Sequence, residues 1–265
     1  MKIKIILILC IILLFFSHNA KSQLPETITI HLSDSVVLEM VYIPPGEFFM
    51  GSPDDEADRQ ADEGPVRKVT ISNGFYMGKF VVTQLQWETI MGNNPSVFHG
   101  FPDSPQRPVE RVSWDDTQLY LERLNALDLG HFRLPTEAEW EYACRAGSTG
   151  RYPWGVDSSF RELFHHAWFF SRSIGQSHPV GQKKPNAWGL YDIHGNVWEW
   201  VSDWMAPYAD TDEVDPTGPA TGQRKIIRSG SWFNEPEALR SANRNAHIPQ
   251  SRQTNNGFRL VLQIP

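Results

Sequence analysis

The stretch NAWGLYDIHGNVWEW, residues 186–200, is the densest concentration of acidic, aromatic and turn-forming residues in the chain. Within it, Asp192 and Glu199 lie seven residues apart across Gly195. At that spacing a turn can place two carboxylates and the intervening backbone carbonyls around one hard cation, and calcium prefers such oxygen ligands. The other interpretation is that the acids form surface hydrogen bonds while the tryptophans fill the core. The spacing alone leaves both open.

Three short helices are predicted upstream of this stretch, each from its own start signal. Thr83 and Gln86 fit a capping box, in which the hydroxyl accepts from a backbone N–H while the amide side chain reaches back. Ser113 is the second start, and Thr136, followed three residues later by an acidic residue, is the third. The third helix should stop at Gly147, a residue suited to a C-terminal cap. The inward-facing residues expected in the second helix are Trp114, Leu121 and Leu124.

The rest of the chain is typical of short strands joined by long loops. Residues 27–50 alternate apolar and polar positions around the break Pro44-Pro45-Gly46, which predicts an antiparallel hairpin. Residues 224–232 and 257–264 are predicted as strands, and the acidic stretch 52–64 as a solvated loop. Because long periodic segments are missing from the sequence after the third helix, the pattern favours a mixed α+β fold with little regular secondary structure over a doubly wound sheet.

The N-terminus has the order of features that marks a secretory signal peptide. Lys2 and Lys4 precede an apolar run at residues 5–16, and small and polar residues follow as far as Ser22. That run of roughly 12 residues is shorter than the roughly 20 that cross a bilayer as a helix, so a retained anchor is the weaker alternative. We therefore expect an exported protein, periplasmic or secreted, without stable membrane insertion after cleavage. Its predicted divisions are a signal peptide at 1–22, an N-terminal extension at 23–35 and one domain at 36–265.

Charge and cysteine content narrow the functions of the mature chain. Loss of Lys2, Lys4 and Lys21 with the signal peptide takes the formal charge from -7 to -10. Nucleic acid and anionic membranes are therefore poor partners. Cys10 leaves with the signal peptide, so no disulfide within the mature chain is expected. Cys144 is expected to be a small buried hydrophobe rather than a reactive thiolate.

Other chemistries have no positive sign in the sequence. The histidines show no metal-ligand spacing, so a three-histidine iron site is not supported. The nucleophile elbow of hydrolases, the phosphate loop of nucleotide enzymes and the dinucleotide fingerprint do not occur. Calcium is the only cofactor for which the residues themselves argue.

A series of ordered blocks resembles the formylglycine-generating-enzyme, or sulfatase-modifying-factor, family from about residue 36 to 264. The blocks are MVYIPPGEFFMGS at 40–52, PVERVSW at 108–114, RLPTEAEWEYA at 133–143, PWG at 153–155, GLYDIHGNVWEW at 189–200, RSGSW at 228–232 and NGFR at 256–259. The resemblance implies a C-type-lectin-like α+β fold. It also implies a calcium ion held by the side chains of Asp192 and Glu199 and the backbone carbonyls of Gly195 and Val197.

The same resemblance places the family's catalytic cysteines at two positions that hold no thiol here. Oxidases of the family bind copper with a cysteine two residues after the Trp of the Gly-Ser-Trp block and another five residues later. Those positions are Asn234 and Leu239. An amide and an aliphatic side chain do not replace soft thiolate ligands, so copper is not expected and the enzyme activity of the chain stays undecided.

The remaining interpretation is a domain that binds or modifies a peptide or protein partner, with a sulfatase among the candidates. The substrate groove implied by the resemblance is Trp198, Ser231, Trp232, Asn234 and Arg244. Two alternatives stay open at this point. One is a formylglycine-generating oxidoreductase with a displaced metal site, and the other is a lectin-like ligand-binding module that uses the Asn-, Arg- and Gln-rich stretches 240–247 and 250–256.

Overall fold

The computed structural model describes residues 24–155 and 160–264. The signal peptide predicted at 1–22 lies outside the described residues. The strands are β1 Thr27–His31, β2 Val37–Ile43, β3 Gly46–Met50, β4 Arg67–Ile71, β5 Phe75–Gly78, β6 Phe132–Arg133, β7 Trp198–Trp204, β8 Glu213–Val214, β9 Lys225–Arg228, β10 Asn245–His247, β11 Asn256–Phe258 and β12 Val261–Gln263. The α-helices are α1 Gln84–Met91, α2 Trp114–Asn125, α3 Glu137–Arg145 and α4 Leu163–His166.

The strands of the described residues form three small sheets. The largest has the order β1-β2-β5-β12-β6 and is antiparallel throughout. The second has the order β10-β9-β7-β11, with β7 and β11 parallel, and the third has the order β3-β4-β8. Few helices beside several short sheets confirm the predicted α+β class.

The three predicted helix starts are confirmed, each with a complete capping box. Thr83, Ser113 and Thr136 each accept from the backbone N–H three residues on, and the side chain at that position bonds back to the cap. α3 ends one residue earlier than predicted, with Ala146 in the left-handed region at φ 46° and Gly147 following at φ 87°. The short α4 had no clear periodic signal and was not predicted.

Two strand predictions are wrong about where one strand ends and the next begins. The hairpin of residues 27–50 turns at 32–36, between β1 and β2, rather than at Pro44-Pro45. The prolines instead pass the chain from one sheet to another, because a residue without N–H cannot continue a ladder. The predicted strand at 257–264 is likewise two strands in different sheets, β11 and β12, separated by the buried Arg259.

The acidic stretch 52–64 is partly buried, which corrects its prediction as a solvated loop. The Glu63 side chain is fully buried, and its Oε2 accepts from Arg240 Nη1 at 2.6 Å and from Ser52 Oγ at 2.7 Å. Glu56 Oε1 accepts from the same Nη1 at 2.8 Å. Arg240 lies far along the chain, so sequence spacing held no sign of this anchor.

Aromatic side chains fill much of the core. Trp140 and Trp200 are fully buried, and Trp87 stacks on Tyr120 at 5.4 Å between ring centroids. Such rings contribute large apolar areas without needing a disulfide. Of the inward residues predicted for α2, Leu121 and Leu124 are buried, whereas Trp114 is only partly buried at the edge of the core.

A buried group of charged side chains, here termed the ionic lattice, joins α3 to β9 and the segment after it. Arg228 donates to Glu137 at 3.0 Å and to Glu141 at 2.6 Å. Arg244 donates to Glu137 at 2.7 Å, and Arg145 to Glu141 at 2.8 Å. Burial of such charges is tolerated only when each keeps its partners.

Replacing Arg228 by Met should therefore destabilise the fold strongly. Two buried carboxylates would lose their shared partner, and breaking a buried pair from one side typically costs about 3–5 kcal/mol. Arg252→Met is the matched control, because Arg252 is 54% exposed in its pair with Asp116 and an exposed pair contributes less than about 1 kcal/mol. Denaturant unfolding of the variants measures both values. Equal losses for the two variants would contradict a stabilising role of the lattice.

Candidate functional site

The loop that leads from α4 to β7 is wound tightly near its end by three residues in the left-handed region. Asp192, Gly195 and Asn196 have φ of 54°, 93° and 61°. The Asn196 side chain fixes the loop by accepting from the backbone N–H of His178 at 3.0 Å and donating to the carbonyl of the same residue at 3.0 Å. The Gly195 N–H donates to Ser229 at 3.0 Å. This winding turns the acidic side chains of the loop inward.

Asp192 is buried with one carboxylate oxygen unused. Its Oδ2 accepts from the backbone N–H of Gly181 at 2.8 Å, whereas its Oδ1 has no hydrogen-bond partner among the described residues. Burial raises the pKa of Asp192 to about 6, with the charge of Glu199 adding to that effect. A buried oxygen without a partner is costly unless a cation or water satisfies it.

Glu199 is held rigidly in the same region. Its Oε1 accepts from Arg259 Nη2 at 2.7 Å, and its Oε2 accepts from Trp140 Nε1 at 2.8 Å and from Arg259 Nε at 3.0 Å. The guanidinium of Arg259 also donates to the backbone carbonyls of Gly78 and Tyr191 at 2.8 Å each. Arg259 Nε also donates to Oε1, at 3.3 Å, so the carboxylate is fixed in position and each of its oxygens already accepts two hydrogen bonds.

These residues fit a calcium ion by donor type. Asp192 Oδ1 and the carbonyls of Gly195 and Val197 would supply only oxygen, the donor that calcium prefers, whereas Glu199 would have to give up a hydrogen bond from Arg259 to join them. The Gly195 carbonyl already accepts from Ser229 Oγ at 3.2 Å and keeps a second lone pair. Across residues 24–155 and 160–264, no cluster of three or more His, Cys, Asp or Glu side chains could hold a metal, so carbonyls would be essential to such a site.

Asn234 takes part in a neutral hydrogen-bond network. Its Oδ1 accepts from Ser231 Oγ at 2.6 Å, and Ser231 Oγ in turn accepts from Asn255 Nδ2 at 3.0 Å. Its backbone carbonyl accepts from the N–H of Phe170 at 2.9 Å. The side chain at this position is thus a hydrogen-bond acceptor for a serine hydroxyl.

Leu239 is part of an apolar cluster. It is fully buried with Tyr152, Leu163 and Phe169. Its backbone carbonyl lies 2.7 Å from His194 Nδ1. Neither Leu239 nor Asn234 carries a donor that soft metals such as copper select.

Of the five predicted groove residues, the structure brings three together. Ser231, Trp232 and Asn234 form one continuous turn. Trp198 instead belongs to the hydrophobic core, and the guanidinium of Arg244 is bound by Glu137 in the ionic lattice. These two side chains therefore contact other parts of the molecule.

Exposed aromatic rings surround this turn, and sequence reasoning missed them. Phe170 and Phe233 are 52% and 59% exposed, and their ring centroids lie 6.3 Å apart in an edge-to-face arrangement. The ring centroid of Trp232 lies 5.5 Å from that of Phe233 and 5.4 Å from that of Phe98. These four rings are termed the aromatic face. The signal in the sequence was Phe233 directly after the Gly-Ser-Trp block, but Phe98 and Phe170 join it only through the fold.

A buried carboxyl supports the aromatic face from below. Glu110 Oε1 accepts from the backbone N–H of Phe98 at 2.9 Å, and Oε2 has no hydrogen-bond partner among the described residues. Burial raises the pKa of Glu110 to about 7. The group fixes the backbone of Phe98 and so the ring that packs on Trp232.

Cys144 is a buried structural residue, which confirms its prediction. Its Sγ lies 3.4 Å from His194 Nε2 in the protein interior. Burial raises the pKa of the Cys144 thiol to about 12, so it is not a thiolate at neutral pH.

The sheets, the loop at 192–199 and the turn at 231–234 define a C-type-lectin-like α+β domain. The family model for the sulfatase-modifying factor enzyme 1-like domain matches residues 31–264. The chain therefore belongs to that family. Among curated proteins it is similar to the formylglycine-generating enzyme of Mus musculus, with 31% identity covering 84% of this chain and 74% of the mouse protein.

Solved structures agree with this assignment. Treponema denticola variable protein 1 superimposes with a TM-score of 0.81 at 30% identity, covering 91% of this chain and all of that one. PvdO from Pseudomonas aeruginosa superimposes with a TM-score of 0.79 at 30% identity, covering 91% of this chain and 99% of that one. The fold of this chain is therefore shared over nearly its full described length.

Proposed function

We propose that this chain is an exported, calcium-stabilised member of the family that binds or modifies a peptide or protein partner at the aromatic face, without copper–cysteine oxidation. The observation that carries the proposal is the chemistry at the two family cysteine positions. Asn234 is a hydrogen-bond acceptor for Ser231, and Leu239 is buried in an apolar cluster. A thiol-based copper site has no ligands at these positions.

The aromatic face supports the binding part of the proposal. Phe170 and Phe233 expose most of their rings to solvent beside the turn that holds Asn234. Clustered exposed aromatic side chains are typical of sites that bind proteins, since each ring supplies a large apolar area at a low entropic cost. The partner side chains that fit them are aromatic or aliphatic.

Export and partner class rest on sequence. The pattern of residues 1–22 favours export to the periplasm or outside the cell. Among the described residues, no helix has both the length and the apolar character that crossing a bilayer requires. The similarity to a formylglycine-generating enzyme makes a sulfatase one candidate partner, and the acidic mature chain disfavours nucleic acid.

Two other functions have less support. A formylglycine-generating oxidoreductase agrees with the 31% identity to the mouse enzyme, but it needs a displaced metal site. No cluster of metal-binding side chains occurs in the described part of the chain to provide one. A lectin-like module based on residues 240–247 would need free polar side chains, whereas Arg240 and Arg244 are bound by Glu63 and Glu137.

Selection of a displayed random-peptide library on the immobilised mature protein should enrich peptides with aromatic or aliphatic residues. The double variant Phe170→Ser with Phe233→Ser should lose these peptides, with affinity falling by at least roughly thirtyfold, because the loss of even one hot-spot ring costs about 2 kcal/mol. Binding of individual peptides by fluorescence anisotropy measures the change.

Phe49→Ser is the matched control for that selection, since Phe49 is 60% exposed on β3. It should leave the affinity of the selected peptides unchanged. Peptides that bind equally to the double variant and to the parent protein would contradict the aromatic face as the binding site.

Calcium should raise the thermal stability of the parent protein, and Asp192→Asn should abolish the gain. The amide can still accept from Gly181, but it removes the charge that a cation would satisfy. A single site filled at about 100 times its Kd stabilises by about 2.7 kcal/mol. Melting curves with calcium and with a chelator measure the gain.

Asp54→Asn is the control for the calcium experiment, because Asp54 is 97% exposed in the acidic stretch. Its calcium response should equal that of the parent protein. Identical melting curves of the parent protein with calcium and with chelator would rule out the site.

A further inference from the structure

A wide cleft lies apart from the loop at 192–199 and from the aromatic face. It has a volume of about 1000 Å³ and is lined by one face of α2, the end of β7 and the segment 215–220. No residue of the aromatic face or of the loop at 192–199 lines it. Neither the family's cysteine positions nor the proposed calcium ligands account for this cleft.

Two tryptophans held by one lysine form the wall of the cleft. The rings of Trp114 and Trp204 lie 6.5 Å apart between centroids and are inclined by 29°. Lys225 Nζ lies 4.1 Å from one centroid and 3.9 Å from the other, and it donates to the carbonyl of Ser202 at 2.6 Å. Because the ammonium is attracted to both ring faces, it fixes the two indoles in one orientation.

Each indole keeps part of its surface for a ligand, beside the area that Lys225 covers and, on Trp204, the area against which Gly222 packs. Trp114 and Trp204 are only partly buried, and both line the cleft. Trp114 Nε1 donates a hydrogen bond to the carbonyl of Val201 at 3.0 Å, which anchors the ring. A rigid, partly exposed aromatic wall is suited to a ligand with a flat apolar face.

The polar groups of the cleft are directed by α2. Gln118 and Glu122 lie four residues apart on the helix face that also carries Trp114, so they project into the cleft together. Glu122 is exposed and has no ion pair among the described residues. The carboxylate can accept hydrogen bonds from hydroxyl groups, and the amide beside it can both donate to them and accept from them.

The charges of the cleft disfavour ionic ligands. Arg133 is bound by both oxygens of Glu139 at 2.6 Å, and Asp215 accepts from the backbone N–H of Ser72 at 2.8 Å. An anion would therefore meet no free cation there except Lys225, which is already bound over the rings, and would be repelled by Glu122. A cationic ligand would be attracted by Glu122 but would meet the ammonium of Lys225 at the same ring faces.

We propose that this cleft binds a neutral oligosaccharide. A pyranose ring presents an apolar C–H face to an indole while its hydroxyls extend sideways, and Trp114 with Trp204 supplies the aromatic wall for such a face. Gln118 and Glu122 supply the hydroxyl partners. The cleft volume of about 1000 Å³ is at the upper end of the range for ligand pockets, so more than one sugar unit has room in it.

Isothermal titration of the mature protein with cellotriose, maltotriose and N,N′,N″-triacetylchitotriose tests the proposal. At least one should bind saturably at concentrations up to about 10 mM, and neither trigalacturonate nor spermidine should bind in that range. The double variant Gln118→Ala with Glu122→Ala should weaken binding by roughly tenfold. Both changes lie at the surface of α2, so the fold should persist, which far-UV circular dichroism checks.

Phe233→Ala, on the aromatic face, is the control and should bind the oligosaccharide as the parent does. The proposal would be overturned if none of the three trisaccharides bound saturably, or if only the charged probes bound. Equal binding by the double variant and the parent protein would also overturn it. The peptide selection on the aromatic face is independent of all of them.

Discussion

The fold depends on buried charges that pair with one another and with nearby backbone groups. Arg228 at the end of β9 lies between Glu137 and Glu141 of α3, with every partner buried. This lattice fixes the point at which the chain leaves the sheet, because Ser229 and Gly230 follow at once with φ of 92° and 74°. The turn from Ser231 to Asn234 therefore starts from a rigid base. The surface proposed to bind a partner is positioned by electrostatics in the interior.

Local signals in the sequence predicted local structure well. The caps at Thr83, Ser113 and Thr136 were correct because a capping box is complete within four residues. Long-range contacts were not readable in the same way. The chain changes sheets at Pro44-Pro45 and at Arg259, and Arg259 is held by an ion pair with Glu199, 60 residues earlier.

The sequence predicted the turn of the candidate site, but it did not predict the aromatic side chains that surround that turn. Ser231, Trp232 and Asn234 are adjacent in sequence, so the structure had to keep them together. Arg244 could not be placed from sequence, because its carboxylate partner Glu137 lies 107 residues away. The aromatic face was missed for the same reason, since Phe98 and Phe170 reach Trp232 and Phe233 only through tertiary packing. The contact of Lys225 with Trp114 and Trp204 likewise joins residues of β9, α2 and β7, which are far apart in the sequence.

The proposed function excludes copper-dependent thiol oxidation by this chain. The most direct measurement is to incubate the mature protein with copper, oxygen and a sulfatase-type peptide that contains cysteine, and to follow the peptide by mass spectrometry. We expect no aldehyde above a protein-free control, while the mouse formylglycine-generating enzyme assayed in parallel converts the peptide. Repeated turnover of the peptide by this chain would contradict the proposed function.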